Sequence, residues 1–406
     1  MRYKKNYNEQ QPNIMEQIIN TENKPMKLWL NNIEEGALAQ AKNLANLPFL
    51  FKWVAIMPDS HQGYGMPIGG VIATKDVIIP NAVGVDIGCG MCAVKTSLTE
   101  IDIEILKEIM GEIRKVVPVG FKKHNEGQGY MPMPECLSLL PIIEKEFLNA
   151  DKSIGTLGGG NHFIEIQKGN DGHIWIMIHS GSRNLGKQVA DYYNKLAIEL
   201  NRKWHSEVPK EWELAFLPTE SKEGQAYIRE MNYCVEFALA NRKLMMDRVC
   251  EIFYKNIYDA VDNTKCEFEP MINIAHNYAS QENHFGENVW VHRKGATLAR
   301  EGTIGIIPGS QGSKSYIVRG KGNEDSFMSC SHGAGRKMGR KQAIRELSFK
   351  DEVKNLEDKN IIHSIRNEKD LDEAPSAYKD IAEVMDNQKD LVEIVTELIP
   401  LAVIKG

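Results

Sequence analysis

The sequence predicts a soluble fold that mixes strands and helices, with short apolar strands delivering polar residues into glycine-rich turns. Three observations carry this. Phe163 to Ile166 and Ile174 to Ile178 are apolar runs of strand length, bounded by polar and glycine-rich clusters. Residues 100 to 117 place apolar side chains at helical spacing and stop at Pro118. Residues 188 to 263 are mostly helical, with Phe237, Leu244, Met245, Val249 and Phe253 at the spacing of a buried face.

Composition narrows the class. A chain of 406 residues supports one large core or two to three ordinary domains. Apolar residues at 42% and charged residues at 26% are those of a soluble globular protein, and no run approaches the ~18 apolar residues of a membrane span. The N-terminal stretch is basic but lacks the apolar centre of a secretory signal. Cysteines at 89, 92, 136, 234, 250, 266 and 330 are odd in number and form no disulfide framework, which points to a reducing, cytoplasmic compartment. A net charge of −6 argues against a protein that coats nucleic acid by bulk charge, but not against a local basic groove.

In chain order, residues 1 to 50 are scaffold, with Ile33, Leu38, Ala41, Leu44 and Leu47 as a helical stripe. A short apolar run then ends at Met57-Pro58, and Asp59, Ser60 and His61 follow as a loop among glycines. An apolar strand from Val77 leads into VGVDIGCGMC, where Asp86 and Cys89 are three residues apart and would share one face of a helical turn. A carboxylate and a thiolate aimed at one point suit a transition metal. Alone, such a pair is met more often as a turn residue beside a buried thiol. Cys89-x-x-Cys92 has no second Cys-x-x-Cys, so a four-thiolate zinc site is not indicated.

Lys122, Lys123 and His124 stand in a loop that could touch a phosphate backbone, although a solvated loop is the first expectation, and residues 136 to 150 form a further helix. Gly158 to Gly160 precede Asn161-His162, a nest of free backbone N–H groups suited to an anion. His179 closes the strand Ile174 to Ile178, and Arg183 lies before a helix opening near Gly186. Residues 202 to 225 read as a surface excursion. His276 and Asn277 end another apolar strand, while His284 and His292 are surface or packing histidines. Residues 294 to 345 are locally basic, a phosphate footprint, and His332 sits there in a small-residue loop where a helix N-terminus would stabilise its charge. The apolar end carrying Lys405 is a tied-down terminus.

Asp86, Cys89, His162, His179 and His276 thus share one signature, each at a strand end or in a glycine-rich turn. One carboxylate, one thiolate and three imidazoles suit one or two Mn²⁺, Zn²⁺ or Co²⁺ ions, with Cys89 as the economical bridge if there are two. His332 is then a candidate nucleophile beside the metal.

At this point the motifs resemble those of the RtcB-type RNA-splicing ligases. The resemblance runs from about Met57 to Gly406, on PDSHQGYGMPIGG, VGVDIGCGM, GTLGGGNHFIEI, HSGSRNLG, NIAHN, RKGATLAREG, PGSQGS, SCSHGAGR and the terminal Ile-Lys-Gly. It implies a single large α+β domain over 1–406, with mixed sheets, surrounding helices and a central metal and nucleotide cleft. It implies two Mn²⁺ ions, GTP, and the joining of RNA 3′-phosphate or 2′,3′-cyclic phosphate ends to 5′-OH ends. By the same resemblance Asp86 and His162 would hold one ion, His179 and His276 the other, and Cys89 would bridge them. His332 would take GMP as a phosphoramidate. The nucleotide would contact Asn161, His162, Phe163, Ile164, Glu165, His276, Asn277, Pro308, Gly309, Ser310, Gln311, Ser315, Gly333, Ala334, Gly335, Arg336, Tyr378 and Lys405. Tyr378 would stack on guanine, with Glu165 and Lys405 reading its edge. Gln311 stands where many relatives carry Met, and residues 336 to 342 are more basic than is usual. A metal-dependent phosphoesterase acting on RNA ends without ligation is the competing expectation. The resemblance leaves open the physiological RNA and any activating protein partner.

Overall fold

The computed structural model describes residues 15–260 and 265–406; the start of the N-terminal scaffold and residues 261–263 of the helical stretch lie outside them. β1 (Gln17–Ile19) and β2 (Met26–Leu28) precede α1 (Glu35–Ala45), and β3 (Leu50–His61) pairs with β4 (Ile68–Thr74). β5 (Val77–Ile78), α2 (Pro80–Val83), β6 (Gly90–Lys95), α3 (Ile103–Val116) and α4 (Pro141–Asp151) follow. Next come β7 (Phe163–Gly169), β8 (Ile174–Ser180), α5 (Leu185–Lys203), β9 (Leu217–Pro218) and α6 (Lys222–Ala260). β10 (Ile272–Ala275), β11 (Asn277–His284), β12 (Glu287–Lys294) and β13 (Ala296–Leu298) are succeeded by β14 (Ile304–Ile307), β15 (Ser315–Gly320) and β16 (Ser329–Ser331). α7 (Arg340–Glu346), α8 (Phe349–Glu357), α9 (Ile381–Asp386) and β17 (Val392–Lys405) complete the chain.

The architecture is α+β. One sheet has the order β1-β2-β3-β4-β12-β11 and the other β10-β6-β8-β7-β17-β15-β14. The second sheet is apolar on both faces. On one face Ile164, Ile166, Ile176 and Ile178 pack against Leu106 and Ile109 of α3 and Met245, Val249 and Phe253 of α6. On the other, Met91, Phe163, Met177 and Val403 meet Leu356, Ile361 and Leu371. Seven buried residues in a row along β8 follow from this double cover. β17 lies between β7 and β15, so the chain end is anchored in the sheet interior. Among the described residues no helix is long and apolar enough to cross a membrane.

Several local expectations are corrected. Asp59, Ser60 and His61 lie on β3, not in a loop. The ladder with β4 steps from Ile56 opposite Gly70 to His61 opposite Ile68, and Pro58, which has no N–H to give, falls in the gap. The strand expected after Val77 stops at Ile78, because Pro80 starts α2 at a position where its missing N–H costs nothing. Asp86 to Cys89 is a turn closed by Cys89 N–H to Asp86 O at 3.1 Å, not a helical turn. Pro141 divides the helix expected over 136–150. Leu214 and Leu217 are buried, so the excursion at 202–225 is pinned to the body.

His284 and His292 are both buried, not on the surface, and serve packing. His292 Nε2 accepts from the Ile79 N–H at 3.0 Å. His284 bonds Glu282, which also holds the wholly buried Arg293. Removing Glu282 would leave that guanidinium desolvated and unpaired. Glu282→Ala is therefore expected to cost about 3–5 kcal/mol, read as a lower denaturant midpoint at unchanged slope.

Candidate metal and nucleotide site

The site forms where one end of the second sheet meets the first. β10, β6, β8 and β7 are adjacent, and their register sets Ala275 beside Gly90, Gly90 beside Ser180, and His179 beside Phe163. Cys89 therefore enters just before β6, His162 just before β7, and His179 near the end of β8. His276 occupies the single residue between β10 and β11, where the chain passes from one sheet to the other. Gly90 is needed for this closeness, since a Cβ there would lie 2.0 Å from Ile274 O.

Five donors form a row, with those of Cys89, His162 and His179 within 4.8 Å of one another. Cys89 Sγ lies 3.5 Å from His162 Nε2 and 3.3 Å from His179 Nε2, and His179 Nε2 lies 3.4 Å from His276 Nε2. Asp86 Oδ2 is 3.4 Å from His162 Nε2. Carbonyls set two tautomers: His162 Nδ1–H donates to Leu157 O at 3.0 Å, and His179 Nδ1–H to Asn161 O at 3.1 Å. A carbonyl can only accept, so both Nε2 atoms carry lone pairs toward the centre. Burial and then the neighbouring imidazoles push His179 and His276 well below the usual histidine range, so these rings are neutral. Burial and the Asp86 carboxylate push the Cys89 thiol up. Without an ion that S–H can donate to only one of the two Nε2 atoms, at 3.5 or 3.3 Å; a soft-to-borderline metal that takes the place of the proton matches this sulfur and nitrogen set.

The frame beneath was not foreseen. α6 was expected only to pack, yet its buried Arg242 donates to Gly88 O at 3.0 Å and Ser180 O at 2.8 Å, clamping the turns that carry Cys89 and His179. Asn241 Oδ1 accepts from Gly155 N–H at 2.7 Å. Neither interrupts the helical apolar pattern, which is why sequence reading passed over them.

His332 follows β16 and lies beside the cluster, its ring centroid 4.7 Å from that of His276. Its orientation comes from Asp59: Oδ2 accepts from Nδ1–H at 2.6 Å and from the His332 backbone N–H at 3.1 Å. Nε2 is left with its lone pair and, among the described residues, has no hydrogen-bond partner. The helix N-terminus expected to support His332 is not there, since α7 begins only at Arg340. The carboxylate of Asp59 fills that place. His61, also on β3, lines the cleft, and burial holds its pKa down to about 4.

A cleft of about 720 Å³ opens over His332. It is lined by Asn161, Phe163, His179, Pro308 to Gln311, His332 to Arg336, Tyr378 and Lys405, with Tyr64, Arg340 and Glu373. Other expected contacts stand behind this wall. Ile164 is in the core, and Glu165 is buried under the sheet end, its carboxyl raised to about 8 by burial. The Ser315 hydroxyl accepts from Gly309 N–H at 3.1 Å and so shapes the 308–311 turn. Asn277 ties Asp86 O to Gly295 N–H. Gln311, also in the lining, donates to Glu373 O at 3.0 Å.

Glu373 was missed by sequence reading, because nothing local marks it. Arg336 and Arg340 pair with Oε1 at 3.2 and 2.9 Å, Lys405 lies 3.8 Å from Oε2, and Tyr378 donates to it. Burial alone would raise this carboxyl, but Lys405, Arg336 and Arg340 together hold it below the usual range. Part of the basic segment is thus engaged within the protein: Lys294 is buried on Tyr64 O and Asn81 O, and Arg336 and Arg340 share Glu373. Arg183 lies under the glycine turn, donating to Thr156 Oγ1 and Gly120 O.

Comparison with known proteins agrees along nearly the whole chain. A family model described as tRNA-splicing ligase RtcB matches residues 40–136 and 126–406. The chain is similar to the RNA-splicing ligase RtcB of Escherichia coli K12, at 40% identity over 96% of this chain and 99% of the relative. It is also similar to the tRNA-splicing ligases RtcB of Pyrobaculum aerophilum (33% identity, 94% of this chain and 95% of the relative) and Methanococcus maripaludis (32%, 94% and 93%). Family match, identity and coverage together place this chain in the RtcB family of RNA-splicing ligases.

Proposed function

We propose that this protein is a cytoplasmic, GTP- and Mn²⁺-dependent RNA ligase that joins 3′-phosphate or 2′,3′-cyclic phosphate ends to 5′-hydroxyl ends. The observation that carries this is the pairing of Asp59 with His332 beside the donor cluster. An imidazole oriented through Nδ1, with Nε2 free in a cleft, is arranged as a nucleophile. Hydrolysis at a metal centre needs no such group, so the pair favours ligation over the phosphoesterase reading.

Asp86 and His162 would hold one ion and His179 and His276 the other, with Cys89 between them. When bound, the ions would polarise phosphoryl oxygens and stabilise a departing anionic group. His332 Nε2 attacks the α-phosphorus of GTP; an N–P bond forms, the bond to the β-phosphate oxygen breaks, and pyrophosphate leaves. An RNA 3′-phosphate oxygen then takes the GMP, restoring His332 and leaving an RNA–pp–G end. The 5′-hydroxyl attacks the 3′-phosphorus, loses its proton and expels GMP. A cyclic phosphate is first opened by water to the 3′-phosphate. Tyr378, Lys405, Arg336 and the 308–311 turn face the cleft that would receive the nucleotide, and Glu373 holds the first three in position.

The test is incubation with labelled GTP and Mn²⁺, followed by ligation of defined ends. The expected result is an acid-labile protein-bound label from GTP, little from ATP, and joining of 3′-phosphate to 5′-hydroxyl ends. Release of 3′-phosphate without protein labelling or joining would establish the phosphoesterase instead.

A further inference from the structure

We propose that Phe121, with Lys122 and Lys123, is a stacking platform that receives single-stranded RNA beside the glycine turn that leads into the cleft; this rests on the ligase reading above. Phe121 has a relative exposure of 104%, and Lys122 and Lys123 are exposed beside it. Core packing gives no reason for an aromatic ring there.

The ring is held near the site by its backbone. Leu157 N–H donates to Pro118 O at 2.9 Å and Gly120 N–H to Gly158 O at 2.8 Å, and Val119 bridges Gly158. Arg183 donates to Gly120 O at 3.2 Å. The root of the loop is thus stapled to the glycine turn that leads into Asn161 and His162. Gly158 is at φ +96°, and a Cβ there would lie 2.0 Å from Arg183 Nη1, so the staple has no room to slide. On the other side of that turn, Arg340 lies against Gly160 and lines the cleft.

A fully exposed aromatic followed by two exposed lysines, on a loop stapled to the turn that leads into the cleft, suits one strand of nucleic acid: bases stack on the ring, whatever their identity, and phosphates meet the lysines. The chain as a whole is acidic at −6, so a local pair of lysines such as this supplies the complementary charge. Lys123 also bonds Asn149 of α4, which fixes its ammonium on the surface beside Phe121.

The experiment measures binding of the full chain to a short unstructured RNA ending in a 3′-phosphate, by fluorescence anisotropy over a salt series. Phe121→Ala is expected to raise the apparent Kd about tenfold, and Phe121→Trp to restore it. Lys122→Glu with Lys123→Glu should flatten the salt dependence. Labelling of His332 by GTP involves no RNA and is expected to persist in all three variants, which shows that they are folded. Unchanged affinity in Phe121→Ala with labelling intact overturns the platform and would assign Phe121 to a protein partner. An unchanged salt slope in the double lysine variant overturns the role of the lysines. Absence of labelling in the wild-type chain overturns the ligase reading itself, a separate outcome.

Discussion

Replacing His332 by alanine is expected to abolish both protein labelling by GTP and RNA joining, a loss on the order of 10⁶-fold if His332 is the nucleophile. The other imidazoles of the site are held differently: only His332 has a carboxylate on Nδ1 and its ring against the cluster. His162 and His179 direct Nε2 into the donor cluster, and His61 lies two residues beyond Asp59 with its Nδ1 on Asp59 O at 3.1 Å. Asp59→Asn is the sharper companion. The amide would present an N–H to His332 Nδ1, favouring the tautomer that protonates Nε2. Labelling should slow by about 10³–10⁴-fold with the fold intact, as for other orienting carboxylates. Radiolabel retained on the protein after gel separation measures both. Persistence of the label in His332→Ala would remove His332 from the chemistry.

The second large effect is expected at Cys89. It is the one sulfur between His162 and His179, and in the proposed arrangement it would serve two ions at once. Cys89→Ala should lower affinity for both by more than about 100-fold, since losing even a supporting contact costs 10–100-fold. Asp86→Asn, at the far end of the row, should weaken only one. Metal analysis after dialysis distinguishes these: two ions per chain in the wild type, one in Asp86→Asn, and none retained in Cys89→Ala. Mn²⁺ should likewise raise the thermal midpoint of the wild type but not of Cys89→Ala, because only a bound ion stabilises by mass action. Two ions retained in Cys89→Ala would exclude the bridge.

The strand–turn signatures around Cys89, His162, His179 and His276 could be read along the chain, because each stands at a strand end or in a glycine-rich turn. That they share one centre could not. It depends on the order β10-β6-β8-β7, and on the single residue His276 spanning two sheets. Cys92, three residues from Cys89, shows the limit of local spacing: alternation along β6 sends it to the opposite, fully buried face, against α6. The basic segment 294–345 shows another. Its charge was visible, but Glu373 lies outside it and takes up Arg336 and Arg340 only once the chain is folded.

By itself, then, the sequence determined the mixed strand-and-helix class, the residue types of the site and the family resemblance. All are written in short contiguous motifs, where local periodicity and side-chain chemistry are enough. Tertiary structure alone decided which donors face one another, which histidine stays outside the cluster, and what orients it. Asp59 and His332 are separated by 273 positions yet are 2.6 Å apart. Register between distant strands sets such pairings, and no local pattern encodes it.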